Sequence, residues 1–142
     1  MKHIKRILQD KIEERLVPGK AVLIYGARRV GKTVLLKEIV KKTGGKTIIL
    51  NGEDIDVHNM LQNRSVSNFR QLFSGIDLLA IDEAQNIPQI GQVIKLIVDE
   101  IDGIKVIATG SSSFDLLNKI GEPLVGRASQ FVLSPFSIKE IA

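Results

Sequence analysis

Residues 26–33 read Gly26-Ala27-Arg28-Arg29-Val30-Gly31-Lys32-Thr33, which matches the spacing G-x-x-x-x-G-K-[ST] at every fixed position. No other stretch constrains the fold as tightly, because such a loop needs a strand leading in and a helix leading out. Both are written beside it. Residues 20–25 (KAVLIY) form a short run rich in strand formers, and residues 32–42 read as a helix. Gly26 and Gly31 permit backbone angles that a β-carbon forbids, so successive N–H groups can turn toward one anion. The helix opening near Lys32 adds its positive end to the same point. Lys32 can reach β- and γ-phosphates, and Thr33 can place its hydroxyl on Mg²⁺. Gly26 through Thr33, with Val34 after them, are therefore the expected contacts to ATP. A glycine turn followed by a chance Lys-Thr is the competing reading, and the strand-and-helix context disfavours it. Arg28 and Arg29 read more readily as solvated than as added positive potential at the phosphates.

The rest of the chain alternates in the same manner. Residues 2–16 carry Ile4, Ile7, Leu8, Ile12 and Leu16 at helical spacing, and Pro18-Gly19 ends that helix. Gly44-Gly45 breaks the helix after the loop, and residues 47–50 (TIIL) form a second strand. Residues 51–74 are polar and ambiguous, with room for one or two short helices. Residues 76–81 (IDLLAI) predict a third strand, residues 89–101 a helix, and residues 104–109 (IKVIAT) a fourth strand. A short helix over 113–120 and a fifth strand at 131–133 complete the order, and Pro135 stops that strand. Near-continuous apolar strands between helices predict an α/β fold whose parallel sheet is covered on both faces. A chain of 142 residues makes one such domain.

The third strand runs into Asp82-Glu83. A carboxylate at the C-terminal edge of a parallel strand faces the crevice where ligands bind. Asp82 is the candidate Mg²⁺-side carboxylate, and Glu83 the candidate activator of an attacking water. The alternative is that the pair caps the following helix or is solvated. Beyond the fourth strand stands Thr109-Gly110-Ser111-Ser112-Ser113, whose hydroxyls could sense a γ-phosphate while one serine caps the next helix. Ser112 is the candidate carried forward from this group. Arg127, just before the fifth strand, reads equally as a guanidinium for the γ-phosphate and as a surface or core-edge ion pair. Asn118-Lys119-Ile120-Gly121 resembles a guanine-reading N-K-x-D, but glycine stands where the carboxylate is needed.

Composition excludes several classes. There is no cysteine, so neither a disulfide scaffold nor a thiolate metal site is available. His3 and His58 lie far apart and near no matching ligands. No apolar run approaches membrane-spanning length, and the N-terminus does not have the form of a secretory signal, so a cytoplasmic protein is the default. Charge is uneven: residues 1–46 hold thirteen Lys/Arg against four Asp/Glu, and the remainder holds seven against twelve. A basic front half suggests a polyanion, either nucleotide phosphates or nucleic acid. Aromatics are 4% with no Trp, which disfavours a base-stacking surface. Lys2, Lys5, Arg6, Lys11 and Arg15 could lie on DNA, but Asp10, Glu13 and Glu14 share that helix, so a solvated outer face is favoured.

The segments YGARRVGKTVLL, LLAIDEAQNIP, VIATGSSS, LVGR and LSPFS, in this order, resemble the AAA-type ATP-binding domain of prokaryotic ATPases that carry a C-terminal domain of unknown function. That group is related to the archaeal ATPase branch of the P-loop superfamily. The resemblance runs from about residue 5 to 141. It implies a five-stranded parallel sheet in the order 5-1-4-3-2, with nucleotide at its C-terminal edge. It also implies the phosphate-loop roles given above, Asp82 on the Mg²⁺ side, Glu83 activating water, and a polar sensor within residues 111–113. Arg127 falls where the broader AAA class carries an arginine finger. Relatives continue past this point, so the chain reads as an excised core, residues 1–142, without the helical lid and later domain. The expected function is ATP binding and Mg²⁺-dependent hydrolysis driving a switch in a larger protein. The alternative is a nucleotide-regulated binding module with little turnover. Expected partners are ATP and ADP, then a second copy of the chain, then DNA or a protein, with no membrane.

Overall fold

The computed structural model describes residues 2–26, 31–111, 124, 126–133 and 138–141. Among them are five helices, α1 (Lys2–Arg15), α2 (Lys32–Thr43), α3 (Ile55–Gln62), α4 (Val66–Phe73) and α5 (Ile90–Glu100). The strands are β1 (Ala21–Gly26), β2 (Thr47–Asn51), β3 (Leu78–Asp82), β4 (Lys105–Gly110), β5 (Ala128–Leu133) and β6 (Ile138–Ile141). They form one sheet in the order β2-β3-β4-β1-β5-β6. The first five positions are parallel, as the resemblance implies. The sixth strand is an addition: β6 pairs antiparallel with β5, Gln130 opposite Ile141. The ambiguous stretch after β2 resolves into two helices of eight residues each, capped by the side chains of Asp54 and Ser65. The helix expected over 113–120 lies outside the described residues.

Period-two alternation along the strands sends neighbouring residues to opposite layers. Leu23, Tyr25, Leu79, Ile81, Val106 and Ala108 pack with Val57, Leu61, Phe69, Phe73, Ile90, Val93 and Ile97 of α3, α4 and α5. Val22, Ile24, Leu78, Ala80 and Ile107 pack on the other face with Ile12 of α1, with Leu16 just after it, and with Leu35, Leu36 and Ile39 of α2. Ile12 and Leu16, the last two residues of the apolar stripe read in the sequence, are thus buried, and the sheet is the middle of three layers.

This arrangement fixes where polar groups can converge. In register, Tyr25 lies opposite Gly110, Ile81 opposite Ala108, and Asn51 opposite Asp82. The C-terminal ends of β1, β2, β3 and β4 therefore meet at one edge. β4 separates β1 from β3, which creates the crevice where parallel α/β sheets bind ligands.

Candidate functional site

The site begins where β1 ends, at Gly26, and resumes at Gly31, the residue before α2. Gly31 has φ 83°, in the left-handed region that a side chain disfavours, and its carbonyl accepts the Leu35 amide at 3.0 Å to start α2. Ala27, Arg28, Arg29 and Val30 lie outside the described residues, as do Ser112 and Ser113. Lys32 is the first residue of α2 and is only 2% exposed. Val34, two residues on, is half exposed.

Thr33 joins the loop to the acidic pair. Its Oγ1 donates to Asp82 Oδ2 at 2.9 Å, crossing from the first turn of α2 to the end of β3. Asp82 Oδ1 accepts a second hydroxyl, Thr109 Oγ1 at 2.5 Å from β4. Thr109 is fully buried, and its oxygen also accepts the Glu83 amide at 3.2 Å. One hydroxyl of the Thr109–Ser113 segment is thus spent on fixing both members of the pair, and Ser112, the candidate sensor, lies outside the described residues.

Glu83 itself adopts φ 52° and ψ 46°, a left-handed conformation that costs a non-glycine residue about 1–3 kcal/mol. Its surroundings hold it there. The Gly52 amide donates to Asp82 O at 2.7 Å, and Gly52 stands so close that a β-carbon would lie 2.1 Å from Glu83 O. His58 of α3 secures Gly52 in turn, its Nε2 donating to the Gly52 carbonyl. After Glu83 the chain enters a single 3₁₀ turn, Ala84–Asn86, which carries Gln85 back over the carboxylate. Gln85 Nε2 lies 2.7 Å from Glu83 Oε2 and 2.8 Å from Ser111 Oγ.

Arg127 does not join this cluster. It precedes β5, whose Ala128 pairs with Ala21 at the start of β1, whereas Leu133 pairs with Gly26 at the other end. At about 3.3 Å per residue, roughly 17 Å of sheet separate Arg127 from the glycine loop after β1. Its Nε donates to Asp99 Oδ1 of α5 at 2.8 Å, a half-exposed ion pair. Sequence reasoning also gave no role to Gly52, His58 or Gln85. The first two lie far from the acidic pair along the chain, and Gln85 is ordinary in composition.

The oxygen donors fit Mg²⁺. Thr33 and Asp82 offer hard oxygens within 2.9 Å of each other, and Mg²⁺ takes one or two protein oxygens and draws the rest from water and phosphates. Among the described residues no group of three or more His, Cys, Asp or Glu could cage a metal without such help. No helix among them is long and apolar enough to cross a membrane.

A protein-family model described as an AAA domain matches residues 18–142. An uncharacterized protein of Methanocaldococcus jannaschii is 30% identical over 95% of this chain, which spans 31% of that relative's length. An AAA ATPase forming ring-shaped complexes, from Corynebacterium kroppenstedtii, is 28% identical over 74% of the chain and 18% of its own length. Among solved structures, domain III of the Thermotoga maritima replication initiation protein DnaA superposes with a TM-score of 0.63 at 18% identity, covering 94% of this chain and 60% of that one. AMPPCP-bound DnaA from Aquifex aeolicus gives 0.55 at 20% identity, covering 88% and 44%. These last two likenesses establish the shared fold.

Proposed function

The chain belongs to the AAA domain family, and from that premise we propose that it binds ATP and hydrolyses it with Mg²⁺, as the nucleotide-driven core of a larger protein. The observation that carries the reading is the hydrogen bond from Thr33 to Asp82, 2.9 Å, which ties the phosphate loop to the acidic strand end. Amides between Gly26 and Gly31, together with Lys32, take the polyphosphate. Thr33 and Asp82 would hold Mg²⁺, which neutralises charge on the β- and γ-phosphates. Glu83 accepts a proton from water as the water oxygen bonds to the γ-phosphorus. The bond from that phosphorus to the β–γ bridging oxygen breaks, and ADP and phosphate leave. A general base of this kind contributes about 10²–10⁴-fold. Ser111, just past the end of β4, offers a hydroxyl to the γ-phosphate, with Ser112 the further candidate from the sequence.

The similar DnaA of Aquifex aeolicus, bound to AMPPCP, supports a nucleoside triphosphate as ligand. The similar ring-forming ATPase supports a second copy of this chain as partner. In that assembly Arg127, remote from its own loop, would serve a neighbouring copy's γ-phosphate. The chain spans under a third of its Methanocaldococcus relative, which supports a role inside a longer protein.

The test is nucleotide binding and turnover with purified protein, ATP and Mg²⁺. Lys32→Ala should abolish binding, and Glu83→Gln should keep binding and lose turnover. Unchanged ATP affinity in Lys32→Ala would refute the reading. A nucleotide-regulated module with little turnover is the second reading, and the thirteen basic residues among positions 1–46 favour DNA as its partner. Salt-dependent duplex binding would support it, and no binding at low salt would remove it.

A further inference from the structure

We propose that Gln85 is a positioning residue that fixes Glu83 and Ser111 as one unit, so that the water-activating carboxylate and the hydroxyl at the end of β4 are set by a single side chain. The proposal rests on the hydrolytic reading above and adds a residue to it.

Gln85 is buried, 7% exposed, in the 3₁₀ turn directly after Glu83. A carboxamide nitrogen carries two hydrogens, and here two acceptors stand within reach. Nε2 lies 2.7 Å from Glu83 Oε2 and 2.8 Å from Ser111 Oγ. The chemistry fixes the orientation of the amide. An ionised carboxylate only accepts, so the group beside Glu83 must be the NH₂ and not the carbonyl. The carbonyl end agrees, since Gln85 Oε1 faces the Ser111 amide at 3.4 Å.

Two consequences follow from that polarity. Glu83 has one oxygen engaged by Gln85, which restricts rotation of the carboxylate and directs proton acceptance to the other oxygen. Ser111 Oγ accepts from Gln85, so its own hydrogen is left to donate elsewhere, and an anionic phosphate oxygen is the acceptor the hydrolytic reading supplies. A base and a phosphate donor that share one amide move together. Misplacing either by about 1 Å can cost on the order of 100-fold in rate.

The test combines kinetics with a measurement that needs no turnover. In ATP hydrolysis, Gln85→Ala and Ser111→Ala should each lower kcat by about 10–100-fold while ATP affinity stays within about twofold. The double variant should lose less than the product of the two single losses, because both break the Gln85–Ser111 arm of the bridge. Ser111→Thr keeps the hydroxyl and should recover most of the rate. In ¹⁵N-labelled protein without nucleotide, the side-chain amide signals of Gln85 should exchange slowly, and Ser111→Ala should shift one hydrogen of the pair. Unchanged or raised kcat in Gln85→Ala, losses that multiply in the double variant, or Gln85 signals indifferent to Ser111→Ala would each overturn the proposal. Failure of the hydrolytic reading is separately visible as ATP affinity that survives Lys32→Ala.

Discussion

Replacing Gly52 by alanine tests the architecture of the site without changing a side chain proposed to contact nucleotide. The new β-carbon would lie 2.1 Å from Glu83 O, 2.8 Å from Glu83 C and 3.0 Å from Asp82 O. All three are backbone atoms at the end of β3, so no flexible side chain can swing aside. Ordinary contact for a β-carbon begins near 3.4 Å, and the Glu83 peptide must therefore retreat by more than about 1 Å. A displacement of that size at a reacting group costs about 100-fold, or about 2.7 kcal/mol of transition-state stabilisation. Overpacking adds a stability cost of about 1–3 kcal/mol. Lys32 sits on α2, and Thr33 bonds the Asp82 side chain whereas the tightest clash is with the Glu83 carbonyl, so ATP affinity should hold while kcat falls. Steady-state hydrolysis, equilibrium nucleotide binding and thermal unfolding measure the three quantities. Wild-type turnover at an unchanged Tm would show that Gly52 does not approach Glu83 this closely. Lost affinity with normal turnover at saturation would place the damage at the phosphate loop and equally refute the reasoning.

Three other outcomes are expected. Thr109→Val keeps the shape but removes the donor to Asp82 and the acceptor of the Glu83 amide, so it should cost about 1–3 kcal/mol in denaturant unfolding and lower kcat, whereas Thr109→Ser should retain both. Arg127→Ala breaks a half-exposed pair with Asp99 and should cost at most about 1 kcal/mol, leaving ATP affinity of dilute protein unchanged. A fall in that affinity would contradict its position at the far end of the sheet. Burial pushes the Tyr25 phenol up from its ordinary value near 10, so the folded chain keeps this proton after the unfolded chain has lost it. Its contribution to stability is fully present below about pH 10 and is lost above it, at up to about 1.4 kcal/mol per pH unit. Tyr25→Phe should flatten that alkaline limb in chemical unfolding, and equal losses in both proteins would count against it.

Much of the framework was legible because it is written locally. Strands β1, β3 and β4 are buried over most of their length and read as near-continuous apolar runs, and the glycine-lysine-threonine loop declares the strand before it and the helix after it. Helices α3 and α4 were ambiguous because eight residues give barely two turns of periodicity, too few to separate from loop. Strand β6 was invisible for a related reason: Ile138–Ile141 has two charged residues between its isoleucines, and only pairing with β5 makes it a strand. The acidic pair could be located but its geometry could not, since the left-handed turn at Glu83 carries no sequence mark. Gly52, Thr109 and Ser111 act through contacts that span 26 to 31 residues of chain, and no local pattern encodes such contacts. Arg127 was read as two alternatives, and the ion pair with Asp99 is the one visible within a single chain.

Strand β1 binds two requirements into one short segment. Leu23 and Tyr25 belong to one helical layer, Val22 and Ile24 to the other, and Gly26 opens the proposed phosphate cradle. Inserting a single residue between Ala21 and Gly26 would transpose every side chain beyond it to the wrong hemisphere and advance the cradle past Asp82 in the same stroke. Ligand grip and hydrophobic assembly cannot drift apart here. Any lineage or designer who lengthens this strand must rebuild both at once.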